Sequence, residues 1–492
     1  MYWIKRFFFR IENVFLVFWI ITSGFIAVFT YPGSGVDESS HVARAEQISD
    51  GCITSQKLNV DDVKNSDIGF RDSFLEDNVY GGYVSSSIEK LSSIITNNLS
   101  YEKVKSQKIQ FPYWTDYRYS DYNVYSSERE LVYFGHTAIN SPISYIPYII
   151  AFWIVKVFLL SPILTVITLR LFGVIFFGFI VWFSIRNTPV GKNVMFVCAV
   201  LPISLFTNSF VTADLMATAV SFVYISSILR FLYCYSEIKQ KDFICLGLSI
   251  CALALLKMPF IVLGIFIFLI FFVNKMWKNK KHTLILLFSG FLALFLFFLW
   301  QYLVKDINPT SYAINITGAN AKDQINFIFL HPLSFLKVIF KGLINFNVPF
   351  VNSPEFPAWT NKFPLWFLIL FYLFTGIIDL VQLPHIKRST LTSFCFFATS
   401  LFIFILLLTA LYVTWTMPKS NHIEGIQARY YLPVMVPFML SIVIFMSKYK
   451  NNSQSIQKIN TLVPCKTHVL YAVILPLYFI FTMYSVSAIF VF

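Results

Sequence analysis

Apolar runs recur along the chain at residues 13–31, 141–160, 164–184, 194–212, 214–234, 242–257, 258–274, 282–303, 364–383, 391–416, 430–448 and 468–490. Several exceed the roughly 18 residues that mark a helix able to cross about 30 Å of hydrocarbon. Polar positions collect in two long intervals, 32–140 and 304–363, and in a short one at 417–429. The pattern predicts an all-α integral membrane protein whose large external first loop contains juxtamembrane helices. Five segments follow from it: 1–31, the N-terminus and first membrane helix; 32–140, the first loop; 141–303, an interfacial helix and a transmembrane bundle; 304–363, a second loop; and 364–492, the C-terminal membrane helices. No internal repeat is visible, which counts against transporter folds built from duplicated halves.

Charge orients this pattern. Residues 32–140 hold 16 Asp/Glu against 10 Lys/Arg, whereas the whole chain carries +13. The positive excess sits in short connectors: Lys5/Arg6/Arg10, Arg186/Lys192, Lys239/Lys241, Lys275/Lys278/Lys280/Lys281, Lys387/Arg388 and Lys448/Lys450/Lys458. Basic connectors face the cytoplasm, so the acidic first loop lies outside, in the periplasm of a Gram-negative cell. The basic balance therefore reports membrane topology, not nucleic acid. The first run follows Lys5, Arg6 and Arg10 and lacks a small-residue cleavage site, so it reads as a retained helix. Between the outside loop ending at 140 and the inside pair Arg186/Lys192 the chain must cross an odd number of times, yet two runs lie there. Residues 141–160, which open Ser141-Pro142-Ile143-Ser144-Tyr145-Ile146-Pro147 and carry Lys156, are read as the interfacial one. Eleven crossings remain, with the N-terminus inside and the C-terminus outside. Of the cysteines, only Cys52 falls in the first loop, and neither a disulfide framework nor a zinc site is indicated.

Candidate chemistry starts where the first helix meets water. In Asp37-Glu38-Ser39-Ser40-His41-Val42-Ala43-Arg44, read as a helix ending near Gly51, Asp37, His41 and Arg44 share a face and Glu38 flanks them. Asp37 could equally be an N-cap and Glu38 a first-turn acid, with His41 and Arg44 solvated. The chemical reading makes a carboxylate the general base for an acceptor hydroxyl, with His41 and Arg44 beside a lipid phosphate. A second constellation, Glu424-Gly425-Ile426-Gln427-Ala428-Arg429-Tyr430-Tyr431, enters a span from outside. Arg429 there is either an interfacial anchor within an aromatic belt or a phosphate ligand, and an outward Arg runs against the positive-inside bias. Lys156, Arg170, Asp214, Arg230, Lys257 and Asp379 lie in or near spans, where an unpaired charge costs about 2.5–3.5 kcal/mol. Arg230 and Asp379 fall near cytoplasmic ends and are expected to snorkel, whereas Asp214 and Lys257 fall level with Asp37 and Arg429. The aromatic stretch from Phe111 to Phe134, with Trp114 at its start, suits sugar faces and lipid headgroups alike. No P-loop and no GxGxxG is present, so a lipid-borne donor used outside fits better than a cytosolic nucleotide.

An acidic pair opening a large external loop after one span resembles the GT-C class of integral membrane glycosyltransferases. Asp37-Glu38-x-x-His41-x-x-Arg44, the Pro142/Tyr145/Pro147 segment, Arg170-Leu171, Pro202 with Asp214, Lys257-x-Pro259 and Gln427-x-Arg429-Tyr430-x-x-Pro433 look, in motif order, like a bacterial membrane family that includes or neighbours phage-borne O-antigen glucosyltransferases that convert serotype. Ala428 stands where that pattern has glycine. The resemblance implies transfer of a sugar, glucose in those relatives, from a polyprenyl-phosphate donor to O-antigen or a related surface glycan, by inverting displacement. Asp37 would be the base, with Glu38 its partner or the base itself. Arg429, with His41, Arg44 and Lys257, would hold the donor phosphate, and Asp214, Gln427, Tyr430 and Trp114 would line the substrate. Some relatives in the wider class use a divalent metal, but here no ligand set stands out beyond Asp37 and Glu38. The partners implied are the lipid-linked donor, the acceptor glycan and membrane lipid. Two rivals remain open: an O-antigen polymerase, whose large external loops fall later in the chain, and a flippase or transporter, which needs charges lining a path through the bilayer.

Overall fold

A computed structural model of the chain describes residues 10–59, 79–88, 91, 113–115, 128–307, 318–344, 365–383, 389–448, 471 and 474–483. Helix α1 (Ile11–Phe29) leads through a buried turn into α2 (Glu38–Ser49). Strands β1 (Gln56–Leu58), β2 (Val79–Ser85) and β3 (Arg129–Tyr133) follow, then the short α3 (Gly135–Ala138) and α4 (Ile146–Phe158). The bundle continues with α5 (Pro162–Asn187), α6 (Lys192–Ala199), α7 (Pro202–Thr207), α8 (Asp214–Tyr233), α9 (Gln240–Leu256), α10 (Ile265–Val273) and α11 (Lys280–Leu303). Helices α12 (Ala321–Leu330), α13 (Pro332–Ile344), α14 (Leu365–Gln382), α15 (Ser389–Thr414), α16 (Leu432–Ser447) and α17 (Ile474–Met483) complete it.

The all-α membrane class holds, but the crossings differ from the eleven expected. Among the described residues six helices are long and apolar enough to cross, seven if the α12–α13 pair counts as one. The apolar run 194–212 is not one helix: it breaks between α6 and α7, where Pro202 removes a backbone donor. The run at 258–274 begins as 3-10 turns over Met258–Gly264 before α10. Residues 304–363, expected as a loop, contain α12 and α13, bent 110° to each other, with Phe329, Leu330, Leu333 and Phe340 exposed. Helix α4 closes at Leu159 after 13 residues, short of a crossing, with Trp153, Val157 and Phe158 exposed as at an interface. Helix α8 lies at the centre, 89% buried over its apolar window, and α11 at the lipid-facing rim, 22% buried. Trp19 of α1 donates to Val174 O of α5 at 2.9 Å, tying these two helices together. Asp379, expected to snorkel, is instead buried and accepts the Val194 N–H at 2.7 Å and the Asn193 side-chain amide at 2.7 Å, capping the start of α6.

The first loop also holds a three-stranded antiparallel sheet, ordered β1-β2-β3, that hydropathy did not foretell. In Val79-Tyr80-Gly81-Gly82-Tyr83-Val84-Ser85 paired glycines blur the alternation that marks a half-buried strand. Helix α2 is fastened to this sheet by polar contacts. Gln47 Nε2 donates to Gly81 O at 2.9 Å, Glu46 accepts the Ser85 N–H at 3.2 Å, and Arg129 bridges Glu46 and Asp50. Lys156 of α4 reaches Ser49 and Asp50 while Tyr145 meets His41, so α2 and α4 run side by side in the same direction. Helix α2 is therefore buried despite its polar sequence, with Glu38, His41, Arg44, Glu46, Gln47 and Ser49 each bonded to a partner.

Candidate active site at one end of the bundle

The site is built on a buried ion pair. Glu38 and Arg170 are 2% and 0% exposed, joined by Nε–Oε1 at 2.8 Å and Nη2–Oε2 at 2.7 Å. Arg170 spends its other donors on the end of α1, meeting Thr30 O at 2.6 Å, Ala27 O at 3.1 Å and Tyr31 O at 2.9 Å. Glu38 also accepts the N–H groups of Gly33 at 2.9 Å, Gly35 at 3.3 Å and Val211 at 3.1 Å. One carboxylate thus gathers the turn after α1, the start of α2, the middle of α5 and the segment before α8. Such bidentate, fully bonded geometry is what a buried charge pair needs. Glu38, which the sequence offered as base or as partner to the base, is committed to this hub and presents no open oxygen.

Gly35 permits that turn, since a Cβ there would lie 2.7 Å from Phe210 Cβ, and the Phe210 ring carries the Arg170 guanidinium at 4.7 Å. Gly35→Ala is expected to destabilise the protein by about 1–3 kcal/mol through overpacking. Gly24→Ala, in α1 with nothing within 4 Å, should be neutral or slightly stabilising. Thermal unfolding of both in detergent checks the contrast, and equal midpoints would refute it.

The hub aims Asp37 outward. Asp37 takes the left-handed conformation (φ 56°, ψ 19°), and its carboxylate makes no cap bond to α2. It turns instead to Arg429, whose Nη2 lies 3.0 Å from Oδ2, and its side chain stays 41% exposed. Arg429 is buried, and its Nε meets Gln427 Oε1 at 2.8 Å and Asp214 Oδ2 at 3.4 Å. Asp214, at the start of α8, also binds Lys257, which leaves α9 in an extended conformation. Tyr430 lies beneath both cations, 4.9 Å from Lys257 and 5.3 Å from Arg429. The ends of α1 and α9 and the starts of α8 and α16 thus meet in one layer. A water-sized cavity beside Arg429 is lined by Val36, Thr207, Phe210 and Thr212.

Two histidines flank Asp37. His41 Nδ1 meets Tyr145 OH at 2.9 Å, and Asn140 Nδ2 donates to the same hydroxyl at 3.2 Å. His136 of α3 places Nε2 3.8 Å from Asp37 Oδ1. Burial would raise Asp37, yet His136, Arg429 and His41 around it hold its carboxyl down at about 2. Burial drives His41 down to about 3 against the pull of Asp37, and lowers His136 as well. Both imidazoles are therefore neutral near pH 7, and Arg429 is the standing cation beside an ionised Asp37.

Asp37, His41, Asp214, Lys257, Gln427, Arg429 and Tyr430 are brought together. Arg44 is not. It is fully buried and bonds Gln47, Ile53 O at 2.6 Å and Asn140 O at 3.3 Å. Arg44 lies one helical turn beyond His41 and is joined to it through Asn140 and Tyr145, so its guanidinium is spent away from Asp37, which precedes the helix. Trp114 packs against Phe29 at 5.9 Å and the bundle core. Tyr117, Tyr119, Tyr122 and Tyr125 of the aromatic stretch lie outside the described residues. His136 escaped sequence reasoning; the available signal was its position at the loop's return to the membrane, mirroring His41. Among the described residues no three His, Cys, Asp or Glu side chains are placed to hold a metal ion.

Comparison with known proteins adds a family but no activity. No curated protein and no solved structure matches the chain. A family model described as "Predicted membrane protein (DUF2142)" matches residues 19–438, a stretch that contains every residue of the cluster. The chain belongs to this family of membrane proteins.

Proposed function

We propose that the protein is a membrane glycosyltransferase that moves a sugar, glucose by the resemblance drawn from its motifs, from a polyprenyl-phosphate donor to O-antigen or a related surface glycan at the periplasmic face. The observation that carries this reading is the exposed, ionised Asp37 carboxylate bonded to buried Arg429, with Lys257 and Tyr430 beside it. A lipid-linked sugar phosphate is a phosphodiester with a single negative charge. Lys257 and Arg429 supply two positive charges against the carboxylates of Asp214 and Asp37, so the resting cluster is balanced and the phosphate meets the two cations directly. Lipid tails reach a bundle end without leaving the bilayer, while Asp37 faces water. The acceptor hydroxyl attacks the anomeric carbon, the carbon–oxygen bond to phosphate breaks, and its electron pair leaves with the phosphate. The leaving group then gains charge, which Arg429 and Lys257 offset in place. Asp37 takes the hydroxyl proton as the new bond forms.

The test is mass analysis of surface polysaccharide from the native host with and without the gene. Loss of one hexose per repeat at unchanged chain length is expected. Collapse to single repeats of unchanged mass would identify a polymerase instead, and an unchanged polysaccharide would overturn the reading.

A further inference from the structure

Behind Asp37 stands a base that the mechanism so far leaves idle. His136 Nε2 is buried and has no hydrogen-bond partner among the described residues, although a neutral imidazole nitrogen in such a place ordinarily finds one. The nearest charged atom is Asp37 Oδ1 at 3.8 Å, the oxygen opposite the one Arg429 holds. The position is fixed from three sides. Phe134 is fully buried and its N–H bonds Tyr80 O at 3.2 Å, closing the sheet register up to α3. The Thr137 hydroxyl donates to Ser40 O at 3.1 Å, clamping α3 to α2. On the third side Asp37 is set by the Glu38–Arg170 hub next to it in sequence.

Granted the glycosyl-transfer reading, on which this rests, we infer that His136 is the terminal proton acceptor: the acceptor's hydroxyl proton passes to Asp37 Oδ1 and from there to His136 Nε2. Asp37 is the exposed partner that touches the hydroxyl, and His136 is the group behind it that keeps the proton. The balance closes. One O–H bond and the sugar–phosphate bond break, one glycosidic bond and one N–H bond form, and the proton later leaves to water as polyprenyl phosphate departs. A carboxyl held as low as Asp37 does not keep a proton near neutrality, and the imidazole 3.8 Å from its free oxygen is the base in reach to receive it. Arg429 gives direction to the relay. Once the carboxyl is protonated its bond to Arg429 weakens, and the acid is free to turn the remaining distance toward Nε2. The titratable and charged groups facing His136 are Asp37, Arg429 and His41.

The test uses full-length protein in nanodiscs, with a short-chain prenyl-phosphate glucose as donor and the host's extracted polysaccharide as acceptor. In the wild type kcat should fall as pH is lowered and His136 takes a proton from water. His136→Gln should lower kcat about tenfold with KM little changed, and that acidic limb should disappear. His136→Ala should behave alike and regain rate on addition of imidazole, while thermal midpoints report folding. Variants as fast as wild type with the same acidic limb would overturn the relay and leave transfer standing. So would variants that lose rate only in step with their thermal midpoint while keeping the limb. An inactive wild type on this donor would overturn the transfer reading, and the relay with it.

Discussion

Asp37→Asn should lower sugar transfer by about 10²–10⁴-fold while leaving the protein folded. The amide is nearly isosteric and its carbonyl oxygen can still accept from Arg429 Nη2, so the guanidinium keeps its place. What disappears is the proton acceptor and the charge that turns Arg429 outward. The expected loss in stability is small because the side chain is 41% exposed and solvent screens the pair, which limits it to about 1 kcal/mol. The sign of its pH dependence follows. The folded carboxyl is depressed from 3.8 to about 2, so its contribution is present above the unfolded value and is lost as pH falls through that interval. At neutral pH the variant should therefore melt close to wild type and fail in turnover. Both quantities are measurable on one detergent preparation, as thermal midpoint and as prenyl phosphate released. Undiminished turnover would sink the mechanism, since the other carboxylates of the described cluster, Glu38 and Asp214, are buried and already paired.

The sequence was informative where a residue was costly to misplace. Asp214, Lys257 and Arg429 stand out because charges beside apolar spans need partners, and the structure gives each of them a partner. Helix α2 was legible from the polar run ending at Gly51, which takes φ 93° where the chain leaves the helix. Spacing could not reveal that Asp37 pairs with a residue 392 positions away. It misplaced Arg44 because helical spacing does not say that Gln47, Ile53 and Asn140 take up its guanidinium. Hydropathy counted more crossings than the described residues show because it does not register a break such as the one before Pro202. The sheet stayed hidden because its strands are short and its central one carries two glycines. His136 was missed for a different reason: a lone histidine after a strand has no pattern beyond its place at the loop's return to the membrane, and its meaning comes from standing next to Asp37.

Arg170→Met should be the most damaging single change to stability. It leaves Glu38 as a buried, uncompensated charge and takes the Arg170 donors from the carbonyls of Ala27, Thr30 and Tyr31, of which Tyr31 O keeps Ser34. Breaking one half of a buried pair costs about 3–5 kcal/mol, enough to lose the folded protein at growth temperature if its total stability is of ordinary size. Glu38→Gln/Arg170→Met removes the stranded charge, so the double variant should unfold at a higher temperature than Arg170→Met alone. Transfer should not return with it. The neutral amide cannot hold the Gly33, Gly35 and Val211 N–H groups as a carboxylate does, and the turn that presents Asp37 loosens. Stability and activity should therefore separate in the double variant, recovery in the first without recovery in the second. A double variant no more stable than the single would show that the stranded carboxylate is not what destabilises Arg170→Met. If the double variant instead transferred sugar at the wild-type rate, the hub would matter only for folding, and some other contact would have to set the position of Asp37.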